Sequence, residues 1–237
     1  LILILKNNLM IKQLKKILQK LSKKISRKNL YKDIDFYVNK IKNQENGLES
    51  LKVLNVGSGG QIGDYLKSKF NFFYSIDINK NRNPDQVIDV CDIDDLQLLP
   101  FKPKIICMLE VLEHTKDPIS AVNNLYEIVD ENGYVLLSAP FIFHIHDEPN
   151  DFYRFTKFGL QNLFQKFSEV EIIPRNGWFE AILVLFMRLR LEKSVSGRVV
   201  GNLFVLVYFL LTPFTYLIQN LIKSDRITTA YFVYAKK

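Results

Sequence analysis

From residue 51 onward, short apolar runs alternate with stretches of helical periodicity. LKVLNV is followed by a glycine-rich turn and IGDYLKSKF; then come FFYSID, QVIDV, KIICML, the helical DPISAVNNLYEIV, and GYVLLSA. Strands that alternate with helices across short loops predict a parallel sheet with helices on both faces. Further on, Thr156 is placed to cap a helix over TKFGLQNLFQKF, EVEIIP alternates as a strand, and the aromatic and β-branched TAYFVYAKK reads as a last strand. The expected fold is therefore α/β, a doubly wound, mostly parallel, seven-stranded sheet.

Two segments stand outside this alternation. In residues 1–44, Leu14, Ile17, Leu18, Leu21 and Ile25 recur at helical spacing, with Lys12, Lys15, Lys16, Lys20, Lys23 and Lys24 between them, which predicts a basic amphipathic helical arm. Residues 177–228 form an apolar helical insertion before the last strand. They include the 24 uncharged residues Val199–Ile222, flanked by Arg198 and Lys223. The expected domains are thus the arm, 1–44, and one main domain, 45–237, that carries the insertion.

By length alone the uncharged run could cross a bilayer. If AYFVYAKK pairs beside EVEIIP, however, both ends of the insertion must lie on one side of any membrane, and Pro213 is expected to divide it into helices too short to span. Two readings remain: a buried helical cap or homodimer face, and a monotopic membrane-docking element supported by Arg188, Arg190, Lys193, Arg198, Lys223 and Arg226.

Charge sharpens the picture of the arm. The chain has a net charge of +7, yet residues 1–42 hold twelve Lys/Arg against Asp33 and Asp35, so the remainder is mildly acidic. Basic character confined to an arm weighs against a nucleic-acid-binding domain face and leaves contact with an anionic membrane open beside ordinary packing. The two cysteines, Cys91 and Cys107, are too few for a disulfide framework and suit a reducing compartment. LILIL is too short to span a bilayer and has no basic residues before it, so it is not read as a signal peptide, and Met10 is a candidate start. The expected location is cytoplasmic, with peripheral contact at the inner membrane face as the extension of the docking reading.

The strongest chemical signal is NVGSGG at 55–60. Gly57, Gly59 and Gly60 follow a strand and precede a helix, the arrangement that lets backbone approach a ligand closely. Asp77 ends the next strand, placed to accept hydrogen bonds from the two hydroxyls of a ribose. The sixth residue counted from Gly57 is Ile62, so the dinucleotide pattern G-x-G-x-x-G fails at its third glycine. An NAD-dependent oxidoreductase is accordingly a distant reading. Asp92 in DVCDIDDL follows the third strand, where an acid can receive an adenine amino group, and MLEVLEH ends the fourth.

With these elements in order, residues 51–175 resemble the class I S-adenosylmethionine-dependent methyltransferases, particularly the group with E-V-L-E-H after the fourth strand. The resemblance implies a Rossmann-like fold and S-adenosylmethionine as cofactor. It implies that Gly57, Ser58 and Gly59 wrap the methionine part, that Asp77 and Ile78 hold the ribose, and that Asp92 and Ile93 hold the adenine. Leu109 and Glu110 then line the cleft, with His114 at its edge. Asn55 stands where the family usually has an acid and Gln61 where it has a further glycine. These departures make a non-catalytic, membrane-associated binding protein the rival reading. Glu113 and His114 also read as cap and first-turn residues of the following helix.

HIHDEPNDFYRFT, residues 144–156, holds two of the three histidines. Strand alternation would put His144, His146 and Glu148 on one side, but methyl transfer requires no metal and none is expected. After the fifth strand this stretch lies at the carboxyl edge of the sheet, where open α/β sheets bind ligands. The pattern of His146, Pro149, Asp151, Phe152, Tyr153, Arg154, Thr156, Gly159 and Leu160 also resembles methyltransferases of bacterial polysaccharide and glycan pathways. It implies O-methylation of a sugar, glycan or other small-molecule hydroxyl. For such a reaction His146 is the first candidate base and His144 the second. Asp151 is placed to orient the imidazole or bind a sugar hydroxyl, Tyr153 to line the acceptor side, and Arg154 to clamp an acidic substrate or to tie Asp151 in place.

Overall fold

The computed structural model describes residues 2–221, 224 and 226–237, with backbone alone for 2–16, 18–22, 24, 212, 213, 216, 219 and 220. The chain divides into two compact units: residues up to Tyr31 with Asn176–Thr229, and Lys32–Arg175 with Ala230–Lys237.

The second unit is built on one sheet. Its strands are β1 (Lys52–Val56), β2 (Phe72–Asp77), β3 (Gln86–Val87), β4 (Ile105–Leu109), β5 (Tyr134–Pro140), β6 (Glu169–Pro174) and β7 (Ala230–Lys236). They lie in the order β3-β2-β1-β4-β5-β7-β6. β1 to β5 pair in parallel, and β7 runs antiparallel to both β5 and β6. This is the expected Rossmann-like, mostly parallel, seven-stranded sheet. Every residue of IICML and YVLLSAP is buried, as parallel strands covered on both faces require.

The connecting helices are α2 (Gly60–Lys67), α3 (Ile93–Gln97), α4 (Pro118–Ile128) and α5 (Lys157–Leu163). Local chemistry sets their starts. Asp117 caps α4, its Oδ1 accepting from the backbone N–H groups of Ile119 at 3.1 Å and Ser120 at 3.0 Å, with Pro118 opening the helix. Thr156 caps α5 through the Gly159 N–H. The cap of α4 therefore belongs to Asp117 and not to Glu113 or His114, which form a separate 3-10 turn, Leu112–His114.

The first helix, α1, spans Ile2–Gln44. Its part from Lys32 onward belongs to the sheet unit. Aromatic packing explains this: Tyr37 stacks on Phe232 and Tyr234, donates to Glu171 at 2.7 Å, and lies one turn from Lys40, which pairs with Glu169 and Glu171. Among the arm positions named from the pattern, Ile17 is exposed and Ile25 buried, whereas the side chains of Lys12, Leu14, Lys15, Lys16, Leu18, Lys20, Leu21 and Lys24 lie outside the described residues.

Burial raises the Asp33 carboxyl to about 6 from 3.8, against the pull of Arg175 and Lys32. A folded-state pKa above the unfolded one contributes stability below about pH 4, and that contribution is lost as pH rises through about 6. Asp33→Asn is therefore expected to stabilise the protein at pH 8 by about 1–2 kcal/mol once solvent screening is allowed for. The gain should disappear near pH 4. Thermal melts at the two pH values check this, and equal gains at both would exclude titration of Asp33 as the cause.

The first unit holds α6 (Trp178–Arg188), a 3-10 turn Leu189–Leu191, and α7 (Val195–Leu221). Phe186 stacks on Phe204 at 4.4 Å, and Tyr208 donates to the buried Glu180 at 3.0 Å. At Gly201 a Cβ would run into the backbone of Leu189 and Arg190, so glycine permits the close crossing. The expected division at Pro213 does not occur: α7 continues through it over 27 residues. A proline inside a helix costs about 3 kcal/mol, and the apolar face carrying Val205 and Tyr208, both buried, offsets that loss. Among the described residues, no helix is long and apolar enough to cross a membrane. Lys223, one of the flanking basic residues, lies outside the described residues.

Candidate functional site

The glycine turn joins β1 to α2. Gly57, Gly59 and Gly60 have φ of 92°, 80° and 73°, values that L side chains rarely adopt, and a Cβ on Gly57 would strike the Val111 side chain. The turn is fastened from below, where the Gly57 N–H donates to Ile76 O at 2.8 Å and the Asn55 amide donates to Gly57 O at 2.7 Å. Asn55 is buried, and its amide is committed to holding the turn.

Asp77 closes β2 with a carboxylate whose two oxygens organise both neighbouring loops. Oδ2 accepts from the Ser58 N–H and Oδ1 from the Asn79 N–H, each at 2.8 Å, and Arg82 stands 4.0 Å away. Ile78 beside it is exposed. Asp92 caps α3 by accepting from Asp94 N at 2.9 Å, with Ile93 as the first helical residue. Gly57, Ser58, Asp77, Asp92 and Ile93 therefore all stand at the carboxyl ends of β1 to β3 or on the loops that follow, the edge where a crossover sheet takes its ligand.

β4 ends in Leu109, which is buried, and Glu110, whose φ of 58° turns the chain sharply out of the strand. Glu110 is tied by Ser138 Oγ at 2.8 Å and by Arg175 at 2.5 Å, an ion pair whose arginine side chain is 4% exposed. The pattern alone did not bring Arg175 to this place; it directly follows β6, 65 residues away.

After the turn, the stretch 144–156 is an irregular loop and not a strand, because β5 ends at Pro140 and among the described residues no partner strand continues the ladder. The expected face of His144, His146 and Glu148 is therefore not formed, and Glu148 is exposed. Arg154 holds the loop instead. Its guanidinium is bidentate to Asp151, both contacts at 2.6 Å, and it also donates to the carbonyls of Phe143 and His144. Its fork is engaged within the loop. Asp151 is almost fully enclosed, and although burial raises its pKa, the Arg154 guanidinium and the His146 N–H outweigh that and hold the carboxyl at about 2.

The loop is fixed against the turn after β4. Phe152 N donates to Glu113 O at 2.9 Å, Tyr153 Oη donates to Lys116 O at 3.0 Å, and His114 Nδ1 lies 2.6 Å from Asn150 O. These contacts bring His114 and His146 edge to face, ring centroids 4.9 Å apart, over Glu113. Glu113 is fully buried, with its Oε1 3.6 Å from His146 Nε2 and 3.7 Å from His114 Nε2. Burial pushes its carboxyl above the usual range, and Glu110 adds to that push against the two imidazoles. Burial lowers the His146 pKa, but Glu113 and Asp151 outweigh it and the net direction is upward. His144 stands apart, its ring centroid 5.9 Å from that of His146.

Comparison with known proteins agrees with this geometry. A family model described as a methyltransferase domain matches residues 8–175. A SAM dependent methyltransferase from Archaeoglobus fulgidus is 18% identical, with 86% of this chain and 94% of that one covered at a TM-score of 0.52. The plantazolicin methyltransferase BamL, solved with S-adenosylhomocysteine, is 15% identical over 92% of this chain and 90% of its own, also at 0.52. Phosphoethanolamine N-methyltransferase 2 of Haemonchus contortus, solved with phosphomonomethylethanolamine and S-adenosylhomocysteine, is 16% identical over 83% of this chain at 0.52. Its match spans about half of that protein, 51%. At these identities the likeness is one of fold. No curated protein matches the chain. The strand order with its antiparallel β7, the glycine turn with Asp77 beyond it, and the family match lead to one conclusion: the chain belongs to the methyltransferase domain family, a class I S-adenosylmethionine-dependent methyltransferase with S-adenosylmethionine as its cofactor.

Proposed function

We propose that the protein methylates a hydroxyl group of a sugar, glycan or similar small molecule. The observation that carries this reading is the set of proton-accepting groups, Glu113, His114 and His146, gathered at the carboxyl edge of the sheet one turn beyond the cofactor-side strand end. The cofactor supplies an electrophilic methyl group on a sulfonium. Gly57, Ser58, Gly59 and Asn55 are assigned to its methionine end, Asp77 and Ile78 to the ribose, Asp92 and Ile93 to the adenine, and Leu109 and Glu110 to the cleft wall. In-line transfer depends mainly on holding the acceptor about 3 Å from the methyl carbon. His146, oriented by Asp151, takes the hydroxyl proton; His144 is the second candidate, and His114 and Tyr153 line the acceptor side.

Turnover assays against nucleotide sugars, glycans, simple alcohols and amines test this reading. His146→Ala should lower kcat by about 10²–10⁴-fold while leaving cofactor affinity intact. Methylation of amines alone would overturn the assignment of the acceptor. The rival reading, a membrane-associated binding protein without turnover, rests on Asn55 and Gln61, and of these the Asn55 amide serves the turn by bonding Gly57 O.

A second part of the proposal concerns location. α7 exposes Val199, Leu203, Leu206, Leu210, Phe214, Leu217 and Leu221 at successive three- and four-residue steps, one continuous apolar stripe. With Arg188, Arg190, Lys193, Arg198 and Arg226 flanking it in sequence and a +10 arm, the favoured occupant is an anionic membrane surface, bound peripherally. The full chain is expected to float with anionic vesicles, and Leu206→Glu/Leu210→Glu to stay behind. A parent that stays behind and elutes as a dimer would assign the stripe to a homodimer face.

A further inference from the structure

We propose that Glu113, His114 and His146 bind a divalent transition-metal cation of the Zn²⁺ type. The inference deepens the acceptor-side reading, but it rests on that reading only for what the cation would do; binding itself stands on the side-chain geometry.

Glu113 is fully buried, and neither carboxylate oxygen has a hydrogen-bond partner. An ionised carboxylate removed from water without a donor is costly, so a proton or a metal ion is needed beside it. In their neutral tautomers, the contacts made by Nδ1 leave both imidazoles facing it with an unprotonated nitrogen. The 2.6 Å contact to Asn150 O requires the proton of His114 on Nδ1, which leaves the Nε2 lone pair toward Glu113. His146 is set the same way. Its Nδ1 faces two acceptors, Asp151 Oδ2 at 3.3 Å and His144 O at 3.4 Å, so its Nε2 also presents a lone pair.

Two lone pairs and a carboxylate converging on one point are relieved by a proton shared among them or by a metal ion held between them. The spacing suits the ion. Ligands about 2.0–2.1 Å from a tetrahedral Zn²⁺ stand roughly 3.4 Å apart. Here Oε1 lies 3.6 and 3.7 Å from the two nitrogens, and all three ligand atoms fall within 4.8 Å of one another. A carboxylate behind one histidine and a backbone carbonyl behind the other are the usual supports of ligating imidazoles. Two histidines and one glutamate leave a fourth position for an acceptor oxygen.

A nitrogen that holds a cation cannot also take a proton. With the cation bound, His146 is a ligand, and the cation lowers the pKa of a hydroxyl placed against it. The hydroxyl proton passes to water as the O–CH₃ bond forms and the S–CH₃ bond breaks, releasing S-adenosylhomocysteine. Without the cation, the proton goes to His146 Nε2 as described above.

The test is calorimetric titration of the chelator-stripped full chain with Zn²⁺, and separately with Mn²⁺, each followed by titration with S-adenosylmethionine. The expected result is one Zn²⁺ per chain, weakened more than about 100-fold by Glu113→Gln and by His114→Ala, since even supporting residues are worth about 10–100-fold. His144→Ala should bind as the parent does. Unchanged cofactor affinity in each variant shows that the fold persists, and if Glu113→Gln does not fold, His114→Ala decides. Absence of one-to-one binding to the parent overturns the proposal, as does binding that survives both ligand substitutions. If no hydroxyl is methylated in the turnover assays, the acceptor reading fails while this result stands or falls separately.

Discussion

Asp77→Ala is expected to weaken S-adenosylmethionine binding by two to four orders of magnitude in a calorimetric titration. In the proposed site its carboxylate accepts from both ribose hydroxyls, and a hydrogen bond to a charged group contributes about 1.5–3 kcal/mol. The side chain is 11% exposed, so solvent screens these bonds little. The same oxygens also receive the Ser58 and Asn79 N–H groups, and alanine therefore loosens the glycine turn as well. Asp77→Asn separates the two effects, because it keeps a carbonyl acceptor for one of these donors and removes the charge. Affinity for Asp77→Ala within about threefold of the parent would remove Asp77 from the cofactor site.

The largest loss of stability is expected from Arg175→Ala. It leaves Glu110 at the end of β4 without its cation, in a pair whose arginine is almost wholly enclosed. Breaking one side of a buried pair costs about 3–5 kcal/mol, whereas replacing both partners by neutral groups costs far less. Thermal melts should show a fall in Tm of about 6–20 °C for Arg175→Ala. Arg175→Met/Glu110→Gln should recover most of it. A double variant no more stable than Arg175→Ala would mean that the arginine acts through packing and not through charge.

The strands were legible because a parallel sheet buried on both faces writes itself as continuous apolar runs, as in KIICML and GYVLLSA. The turn at Gly57 and the acid at Asp77 were legible because their chemistry is local: a positive φ at one place and a strand end at the next. Arg175 and the partnership of Glu113 with two histidines were not legible. The Glu110–Arg175 and Glu113–His146 contacts join residues far apart in the chain, and only the sheet order brings those residues to one edge. The alternation through HIHDE misled because periodicity cannot tell whether a neighbouring strand is there to pair. Pro213 misled for a related reason: proline disfavours a helix locally, while buried residues of α7, Val205, Tyr208 and Thr215, lie on both sides of it.

The order of β7 in the sheet bears on how the molecule assembles. It lies between β5 and β6, yet Asn176–Thr229 must be synthesised before it can take that place. Until then β6 has no strand to pair with, and the edge of β5 stays open to mispairing. Closing a longer loop is cheap, about 0.6 kcal/mol per doubling of length, so the intervening segment can lengthen, shorten or be exchanged at small cost to the finished sheet. Its demand is one of timing: β5 must remain protected until β7 arrives, and substitutions that delay β7 should appear first as aggregation during synthesis rather than as a lower Tm.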